Sequence, residues 1–394
     1  MSDTRYTPLR DRHDALGATF TDFGGWQMPV RYTSDLAEHH AVRQSAGLFD
    51  ISHMAEFLVT GVHAADFLDF ALAGRISSMP VGKAKYSLVL ADDGGIIDDV
   101  IVYRLAEDRY LVIANAGNRG FVDGAFASRV REFPSILERT LPARTEGEER
   151  SFAGFLGDRG VDVEDVSDSY ALLAVQGPTA AAIVAATEGI TDLSAPWADQ
   201  KYYAWADAAF LGEPLLIART GYTGEDGFEL LVRAEDACAL WDAVSAAGES
   251  HGLVPAGLAA RDTLRLEAGM PLYGHELSRE TKPSQAGLGR VVAADKELFV
   301  GKNAAPASTD APVLVGLVAE GKRAGRAGYA VVAEDGTELG EITSGALSPT
   351  LGHPIAMAYV HPSSAEAGTA VFLDVRGTKI PATVTPLPFY RRTK

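Results

Sequence analysis

The C-terminal part of the chain constrains its fold most strongly. Apolar runs follow one another there at short spacing and are separated by turn residues, at 313–318, 329–332, 340–344, 355–359, 371–375 and 380–384. Many short strands of this kind are typical of a small all-β barrel or sandwich. A stretch bearing Pro and Gly, 282–289, precedes them. We therefore predict a separate, barrel-like β domain over residues 286–394.

The remainder of the chain mixes helix and strand patterns. Strand patterns lie at 55–62, 86–90, 96–103, 110–114, 170–175, 215–219 and 228–232, and helix patterns at 63–73, 235–248 and 257–268. The charged stretch 143–168 has little periodicity, and we interpret it as a surface excursion or a domain crossing. Because the chain has 394 residues and a single core stops growing at about 250–300 residues, we expect two or three domains.

Charge and composition exclude several classes of protein. The net charge is −18, with 53 acidic and 35 basic side chains, and such a surface repels nucleic-acid phosphates and anionic lipids. No run approaches the ~18 apolar residues of a membrane span. The polar N-terminus lacks the apolar stretch of a secretory signal. We therefore expect a cytoplasmic protein that binds neither nucleic acid nor membrane.

The chain offers few ligands for a metal ion. Cys238 is the single cysteine, so an intramolecular disulfide and a cysteine-based metal site are both excluded. His39 and His40 are adjacent in the sequence, and side chains at adjacent helical positions point apart. We predict no metal site.

Two adjacent carboxylates, Asp98 and Asp99, lie inside an apolar strand pattern that follows a Gly-Gly turn. Alternation along a strand sends them to opposite faces, so at most one faces the core. A carboxylate buried there needs a partner or a function, because an unpaired buried charge is costly. The alternative is that both lie near the start of the strand and reach solvent or cap the turn. The residues alone leave both interpretations open.

The segment 219–229 combines a glycine-rich turn with Tyr222 and three carboxylates. A carboxylate beside an aromatic ring suits a planar heterocycle that bears N–H donors. An ordinary acidic hairpin turn has the same composition, so this interpretation also stays open.

The segment 257–269 is a short helix pattern in which Arg261 and Arg265 stand four residues apart on one face. Like charges so placed repel unless an anion bridges them. Candidates for that anion are Asp262, Glu267 and a ligand carboxylate, since a guanidinium binds carboxylates in a bidentate way.

Asp50, Ser52 and His53 lie close together in the sequence. A hydrolase triad requires such side chains to converge in space, and adjacency does not show that they do. The sequence contains no nucleophile-elbow serine, no P-loop and no three-glycine dinucleotide fingerprint. Hydrolase, nucleotide-hydrolysing and dinucleotide-dependent chemistries are therefore disfavoured.

The chain resembles the glycine cleavage T-protein family from 7–9 to 387–389. The resemblance is carried, in this order and spacing, by the segments 49–54, 94–103, 176–179, 221–229 and 257–274. It implies an α+β, three-domain, folate-binding aminomethyltransferase fold arranged around a central hole. In such a fold, 1–285 would hold two interleaved domains, the second at roughly 52–145 and the first discontinuous. The all-β C-terminal barrel-like domain would follow at 286–394.

The resemblance also implies a reaction. Members of this family use tetrahydrofolate as co-substrate and the lipoylated H-protein as partner. The one-carbon unit passes from an aminomethyl group on the lipoyl arm of H-protein to tetrahydrofolate. Ammonia is released, and 5,10-methylenetetrahydrofolate is formed. We therefore expect an aminomethyltransferase of glycine catabolism.

The resemblance assigns roles to particular residues. Asp99 takes the position of the catalytic acid, beside the reacting nitrogens of the folate, and Asp98 would then be a turn or supporting residue. The expected folate-binding residues are Glu229, Arg261, Tyr222, Met54, Tyr86, Asn115 and Tyr390. Glu229 suits the N–H edge of the pterin. Arg261 would hold either a ligand carboxylate or a protein carboxylate, and the sequence does not choose between them.

Two related functions compete with this one. A tetrahydrofolate-dependent demethylase, acting on a methylated sulfur or oxygen compound, would share the fold and much of the folate pocket. A non-enzymatic folate-binding assembly factor would share the fold alone. Such factors typically carry a conspicuous cysteine motif, whereas this chain has only Cys238.

Overall fold

A computed structural model describes residues 4–140 and 160–392. Within these ranges the α-helices are α1 (Arg10–Ala15), α2 (Asp35–Gln44), α3 (Ala64–Ala71), α4 (Arg119–Thr140), α5 (Ala180–Ala186), α6 (Ala237–Gly248) and α7 (Leu258–Glu267). None of these helices is long and apolar enough to cross a bilayer.

The β-strands form four sheets. The strands are β1 (Thr19–Phe23), β2 (Trp26–Arg31), β3 (Ala46–Asp50), β4 (Ala55–Thr60), β5 (Ala84–Leu90), β6 (Ile96–Ala106), β7 (Arg109–Ala114), β8 (Asp162–Asp165), β9 (Tyr170–Gln176), β10 (Ile190–Thr191), β11 (Trp205–Phe210), β12 (Glu213–Ala218), β13 (Gly227–Arg233), β14 (Leu253–Pro255), β15 (Val313–Ala319), β16 (Ala330–Val332), β17 (Glu338–Leu347), β18 (Pro354–Val360), β19 (Ala370–Val375) and β20 (Thr378–Thr385). The mixture of helices and sheets confirms the predicted α+β class.

The described residues divide into two compact units. The first is built from Met1–His53, Asp168–Gly289 and Pro306–Lys394, and the second from Met54–Ser167 and Arg290–Ala305. The predicted domain limits, 1–285 with a second domain at roughly 52–145, and 286–394, stay predictions. The stretch 143–168 was predicted to be a surface excursion or a domain crossing. Its residues 143–159 lie outside the described residues, and its remaining residues contain β8.

The second unit is built on a five-stranded antiparallel sheet in the order β5-β6-β7-β4-β8. It confirms the strands predicted at 55–62, 86–90, 96–103 and 110–114. Aromatic side chains from β4, α3 and α4 fill the core under the sheet, among them Phe57, Phe67 and Phe126. Full burial of one such side chain contributes roughly 1.5–3 kcal/mol. The sheet is therefore a firm base for β6, which carries Asp98 and Asp99.

The turn between β5 and β6 requires glycine. Gly94 has a φ of +82°, and a Cβ at this position would overlap the backbone carbonyl of Ala304. The segment that supplies Ala304 is itself held by Lys296, whose Nζ donates to the carbonyl oxygens of Leu72 and Gly74 at 2.5 and 2.8 Å. This close packing fixes the start of β6.

The first unit contains a seven-stranded sheet in the order β10-β11-β12-β13-β9-β3-β14. Its neighbouring strands are antiparallel except for β14 and β3, which are parallel. Apolar side chains of β9, β13 and α6, including Leu173, Phe228 and Trp241, pack together against the sheet. Strands β12 and β13 lie inside this sheet, so the loop that joins them, 219–226, is held at both ends.

Helix α7 is positioned by a buried carboxylate. Glu38 on α2 is fully buried, and its Oε2 accepts a hydrogen bond from the Gly257 amide at 2.9 Å. A carboxylate at this place satisfies an orphan N–H group and complements the positive end of the helix dipole. A Cβ at Gly257 would overlap the Val30 carbonyl, so glycine permits the close approach. The contact fixes the helix that carries Arg261 and Arg265.

The predicted C-terminal β structure is a closed barrel of six strands in the order β15-β18-β17-β16-β19-β20. Its interior is filled by apolar side chains, including Leu317, Ile342 and Leu373. Barrel closure removes exposed strand edges. The structure thus selects the barrel over the sandwich that the strand spacing also allowed.

Candidate functional site

The two adjacent carboxylates on β6 have different surroundings. Asp99 is half-buried. The Tyr86 hydroxyl donates to its Oδ2 at 3.0 Å, and the Asn115 side-chain amide donates to its Oδ1 at 2.8 Å. Both carboxylate oxygens are therefore held by neutral donors. This arrangement orients the carboxylate without neutralising it.

Asp98 points to the opposite face of β6 and is 0% exposed. Its carboxylate accepts three N–H groups: the Asn115 backbone amide at 2.8 Å, the Asn115 side chain at 2.8 Å and the Asn118 side chain at 2.6 Å. The prediction of opposite faces is confirmed. The alternative, that both carboxylates reach solvent or cap the turn, is wrong for Asp98 because this residue is paired inside the sheet.

Burial controls the ionisation of this pair. It raises the pKa of Asp98 to about 8, and the charge of Asp99 acts in the same direction. Burial also raises the pKa of Asp99, although the hydrogen bonds from Tyr86 and Asn115 oppose that rise. Two carboxylates this close do not both ionise easily.

A second polar group lies in the first unit, and we call it the Arg261 cluster. It consists of Arg261, Tyr222, Glu229 and Thr220. The guanidinium carbon of Arg261 lies 4.8 Å from the centroid of the Tyr222 ring. Burial lowers the pKa of Arg261, while Tyr222 and Glu229 act against this. The structure therefore brings together three of the predicted folate-binding residues.

Glu229 is buried on β13, and the Thr220 hydroxyl donates to its Oε2 at 2.5 Å. The Tyr222 hydroxyl donates to the Pro271 carbonyl at 2.5 Å. The sequence predicts no role for Thr220, because a neutral hydroxyl in this loop gives no signal beside its aromatic and charged residues. These hydrogen bonds help to hold the carboxylate of Glu229 and the ring of Tyr222 in place.

The loop that carries the cluster is anchored by Gln176. The side chain of Gln176 donates to the Thr220 carbonyl at 3.0 Å and accepts from the Thr223 hydroxyl at 3.0 Å. At the same loop, Arg219 donates to both carboxylate oxygens of Asp226, at 3.0 and 2.6 Å. The loop is therefore held by side-chain hydrogen bonds and an ion pair, which an ordinary acidic hairpin turn does not require.

Arg261 and Arg265 differ although they are one helical turn apart. Arg265 is buried and forms ion pairs with Asp262 at 2.7 Å and Glu276 at 2.9 Å. In the described part of the chain, no carboxylate forms an ion pair with Arg261. Asp262, one of the candidate anions for this face of α7, therefore pairs with Arg265. A ligand carboxylate remains a candidate for Arg261.

Tyr390 and Met54 lie outside the Arg261 cluster as defined. The Tyr390 ring lies 4.0 Å from the guanidinium carbon of Arg43, and its backbone N–H donates to the Glu267 carbonyl at 2.8 Å. Burial, and then a hydrogen bond with Glu225, raise the pKa of Tyr390. Met54 is half-buried immediately before β4, in the same unit as Asp99.

The segment 49–54 does not form a hydrolase triad. Asp50 is paired with the distant His13, whose Nε2 lies 2.8 Å from its Oδ2, and with the Thr7 hydroxyl at 2.5 Å. Burial lowers the pKa of His53 to about 4, and the charge of Arg261 acts in the same direction. His53 is therefore a neutral, buried neighbour of Arg261. The sequence pattern did not predict this role for His53.

No three His, Cys, Asp or Glu side chains converge to hold a metal ion within residues 4–140 and 160–392. Glu229 accepts hydrogen bonds, while Arg261 supplies donors and positive charge. Neutral donors hold Asp99.

Comparisons with known proteins agree with this chemistry. The GCVT N-terminal domain model matches residues 9–296, and the glycine cleavage T-protein C-terminal barrel domain model matches residues 313–391. Aminomethyltransferases of Saccharopolyspora erythraea and Cutibacterium acnes are 51% and 52% identical to this chain, with 100% of each chain covered.

A solved structure agrees as well. The crystal structure of glycine cleavage system aminomethyltransferase T from Bartonella henselae aligns over 100% of both chains, with 34% identity and a TM-score of 0.83. The matched models cover nearly the whole chain, and the relatives are similar over their full length. The chain belongs to the glycine cleavage T-protein family of folate-dependent aminomethyltransferases.

Proposed function

We propose that the chain acts in the cytoplasm and transfers the one-carbon unit of aminomethyl-dihydrolipoyl H-protein to tetrahydrofolate. Ammonia is released, and 5,10-methylenetetrahydrofolate is formed. Family membership supports this reaction. The structural observation that carries it is the half-buried carboxylate of Asp99, held by the neutral donors Tyr86 and Asn115.

Asp99 suits the catalytic role because its charge is fixed but not cancelled. The transferred carbon leaves its amine, which departs as ammonia, and the lipoyl sulfur, which departs as a thiol. It bonds to the two folate nitrogens instead, and it acquires positive character during this transfer. A preorganised negative charge stabilises that character more in the transition state than in the ground state. The carboxylate would also orient the amine and assist proton movement. Tyr86 and Asn115 keep the carboxylate in place and so avoid reorganisation during the step.

The Arg261 cluster suits recognition of the folate. The carboxylate of Glu229 accepts hydrogen bonds, as the N–H edge of a pterin requires, and Thr220 fixes its orientation. Arg261 has the charge and geometry to bind a carboxylate. The further folate contacts in this proposal are Tyr222, Met54, Tyr86, Asn115 and Tyr390. They supply aromatic, apolar and hydrogen-bonding surface.

The decisive experiment replaces the proposed catalytic charge. Asp99→Asn keeps the size of the side chain but removes its charge. Turnover should fall by about 100-fold or more, while tetrahydrofolate affinity changes little. The assay measures methylenetetrahydrofolate formation from aminomethyl-loaded, lipoylated H-protein at saturating folate. Asp108→Asn is a matched control, because Asp108 is exposed in the turn between β6 and β7. Normal turnover of Asp99→Asn would refute the proposal.

A binding experiment tests the folate site separately. Glu229→Gln and Arg261→Ala should each weaken tetrahydrofolate binding by roughly 10- to 150-fold, which corresponds to a charged hydrogen bond of about 1.5–3 kcal/mol. Glu213→Gln, on the exposed part of β12, is the control. Unchanged affinity in both variants would show that the pocket lies elsewhere. Transfer of a methyl group from a sulfur or oxygen donor, without activity on H-protein, would favour the demethylase.

A further inference from the structure

Asp98 is the buried carboxylate that the proposed chemistry does not use. It lies on the face of β6 opposite to Asp99 and is fully buried. Among the described residues, no basic side chain forms an ion pair with it. An apolar side chain would fill such a position at lower cost, because a buried carboxylate loses its hydration. A residue of this type calls for an explanation beyond packing.

The hydrogen bonds of Asp98 converge on one neighbour. Two of the three N–H groups that it accepts belong to Asn115, one from the backbone and one from the side chain, both at 2.8 Å. Asn115 directly follows β7, the neighbour of β6 in the sheet. Asp98 thereby fixes both the backbone and the side-chain rotamer of Asn115.

The amide of Asn115 is shared between the two carboxylates. Its Nδ2 lies 2.8 Å from Asp98 Oδ1 and 2.8 Å from Asp99 Oδ1. A primary amide has two hydrogens, so one is available for each carboxylate. The bond to Asp98 leaves the second hydrogen directed at Asp99. Rotation or a flip of this amide would break both bonds.

Asn118 extends the chain of contacts by one residue. It is buried at the end of the short 3₁₀ turn Ala116–Asn118, and its Nδ2 donates to Asp98 Oδ1 at 2.6 Å. Asp98 Oδ1 therefore accepts from two asparagine side chains at once. This second donor restricts the rotation of the Asp98 carboxylate.

We propose that Asp98 is a positioning residue: held by Asn118, it fixes the amide of Asn115, which in turn fixes the carboxylate of Asp99. The inference rests on the proposed catalytic role of Asp99. It assigns to Asp98 and Asn118 an effect on turnover, although neither touches the reacting atoms. Small errors in the position of a catalytic group slow the reaction, and a misplacement of about 1 Å lowers the rate on the order of 100-fold.

Asp98→Asn tests this chain of contacts. The new amide group would face an N–H donor of Asn115 or Asn118, so Asn115 should lose its fixed orientation. The kcat should fall by about 10- to 100-fold, with a change in KM for tetrahydrofolate below about threefold. Asn118→Ala removes only the outermost contact, and its kcat should fall by about 3- to 10-fold. Asp92→Asn, exposed in the turn before β6, is the matched control with normal kcat.

A double-mutant cycle separates positioning from a general effect on folding. If Asp98 acts through Asn115, then Asp98→Asn should cost less than about threefold in kcat when Asn115→Ala is already present. Losses that multiply in the double variant would overturn the inference. So would normal kcat in both Asp98→Asn and Asn118→Ala. If Asp98→Asn does not fold, the kcat of Asn118→Ala tests the inference in its place. Normal turnover of Asp99→Asn would instead refute the proposed function itself.

Discussion

Two polar groups in the first unit contain similar kinds of side chain but differ in how completely they are paired. The first, which we call the Glu267 hub, consists of Glu267, Arg43, His39, Ser348 and Thr350. Glu267 accepts from Arg43 at 2.8 Å, from the Ser348 hydroxyl at 2.5 Å and from the Thr350 hydroxyl at 2.7 Å. The second group is the Arg261 cluster, in which Arg261 has no ion pair among the described residues.

The difference separates a structural role from a binding role. Arg43 and Glu267 pair with each other, and Arg43 also pairs with Glu225 at 2.9 Å. The hub therefore has little capacity left for a ligand. Buried charges without such pairing are costly in the free protein. A protein retains them where a ligand completes the pairing, as we propose for Arg261. Three predictions test this comparison, and a fourth tests the buried carboxylate of Asp98 in the second unit.

The largest effect is expected from the two arginines of α7. Arg265→Met would leave Glu276 buried without its ion pair, which costs about 3–5 kcal/mol of stability. Arg261→Met breaks no ion pair, so the free energy of unfolding should change by about 1 kcal/mol or less, while tetrahydrofolate affinity falls. Urea unfolding of both variants measures the contrast. Equal destabilisation by both changes would show that Arg261 is a structural residue too.

The next effect concerns Asp98, whose pKa is raised to about 8. An unfolded Asp titrates near 3.9, so between about pH 4 and 8 the folded chain binds one more proton than the unfolded chain. Asp98 therefore reduces stability as pH rises through this window. Asp98→Asn removes the titration. Its stability relative to the unchanged protein should rise, on the order of 3 kcal/mol, from pH 4 to about 6.5. A difference that does not vary with pH would contradict the raised pKa.

Glu267 should show the opposite dependence on pH. Burial alone would raise the pKa of Glu267. Hydrogen bonds from His39, Ser348 and Arg43 outweigh this effect and lower the pKa to about 2. Its contribution to stability is therefore full above about pH 4.5 and is lost as pH falls towards 2. The destabilisation caused by Glu267→Gln should shrink by roughly 2 kcal/mol over that range. Denaturant unfolding between pH 2 and 7 measures this. A constant difference would mean that the hub does not depend on the charge of Glu267.

The sequence predicted those features that depend on local pattern. Alternation identified β5, β6 and β7, and the same alternation placed Asp98 and Asp99 on opposite faces. The repeated short strands after residue 310 predicted the barrel. These inferences succeeded because a strand of period two needs only its own residues to show which face is apolar.

Features that depend on distant residues were not predictable in this way. Arg265 meets Glu276 and the Ser344 hydroxyl of the barrel, and Asp50 meets His13 rather than its sequence neighbour His53. Likewise, nothing in the sequence indicates that Thr220 holds Glu229 or that Asn118 holds Asp98. Such contacts are set by tertiary packing, so spacing along the chain carries little information about them. The sequence identifies the charged residues but does not show which of them form ion pairs in the folded chain.

The smallest effect is expected from Tyr222, which belongs to the Arg261 cluster and also has a structural bond. Tyr222→Phe keeps the ring beneath Arg261 but removes the hydrogen bond to the Pro271 carbonyl. Its loss should cost about 1 kcal/mol of stability. Tetrahydrofolate affinity should change by less than about threefold if the ring is what the ligand and Arg261 use.

Tyr222→Leu provides the sharper half of this test. It removes the aromatic face, whose attraction for a guanidinium is worth about 0.5–2 kcal/mol, as well as the hydroxyl. Tetrahydrofolate affinity should then fall by a further factor of about 2 to 30 relative to Tyr222→Phe. Fluorescence or calorimetric titration of both variants measures the difference. Equal affinity in the two variants would show that the ring contributes nothing to the site, and Tyr222 would then resemble the fully paired residues of the Glu267 hub.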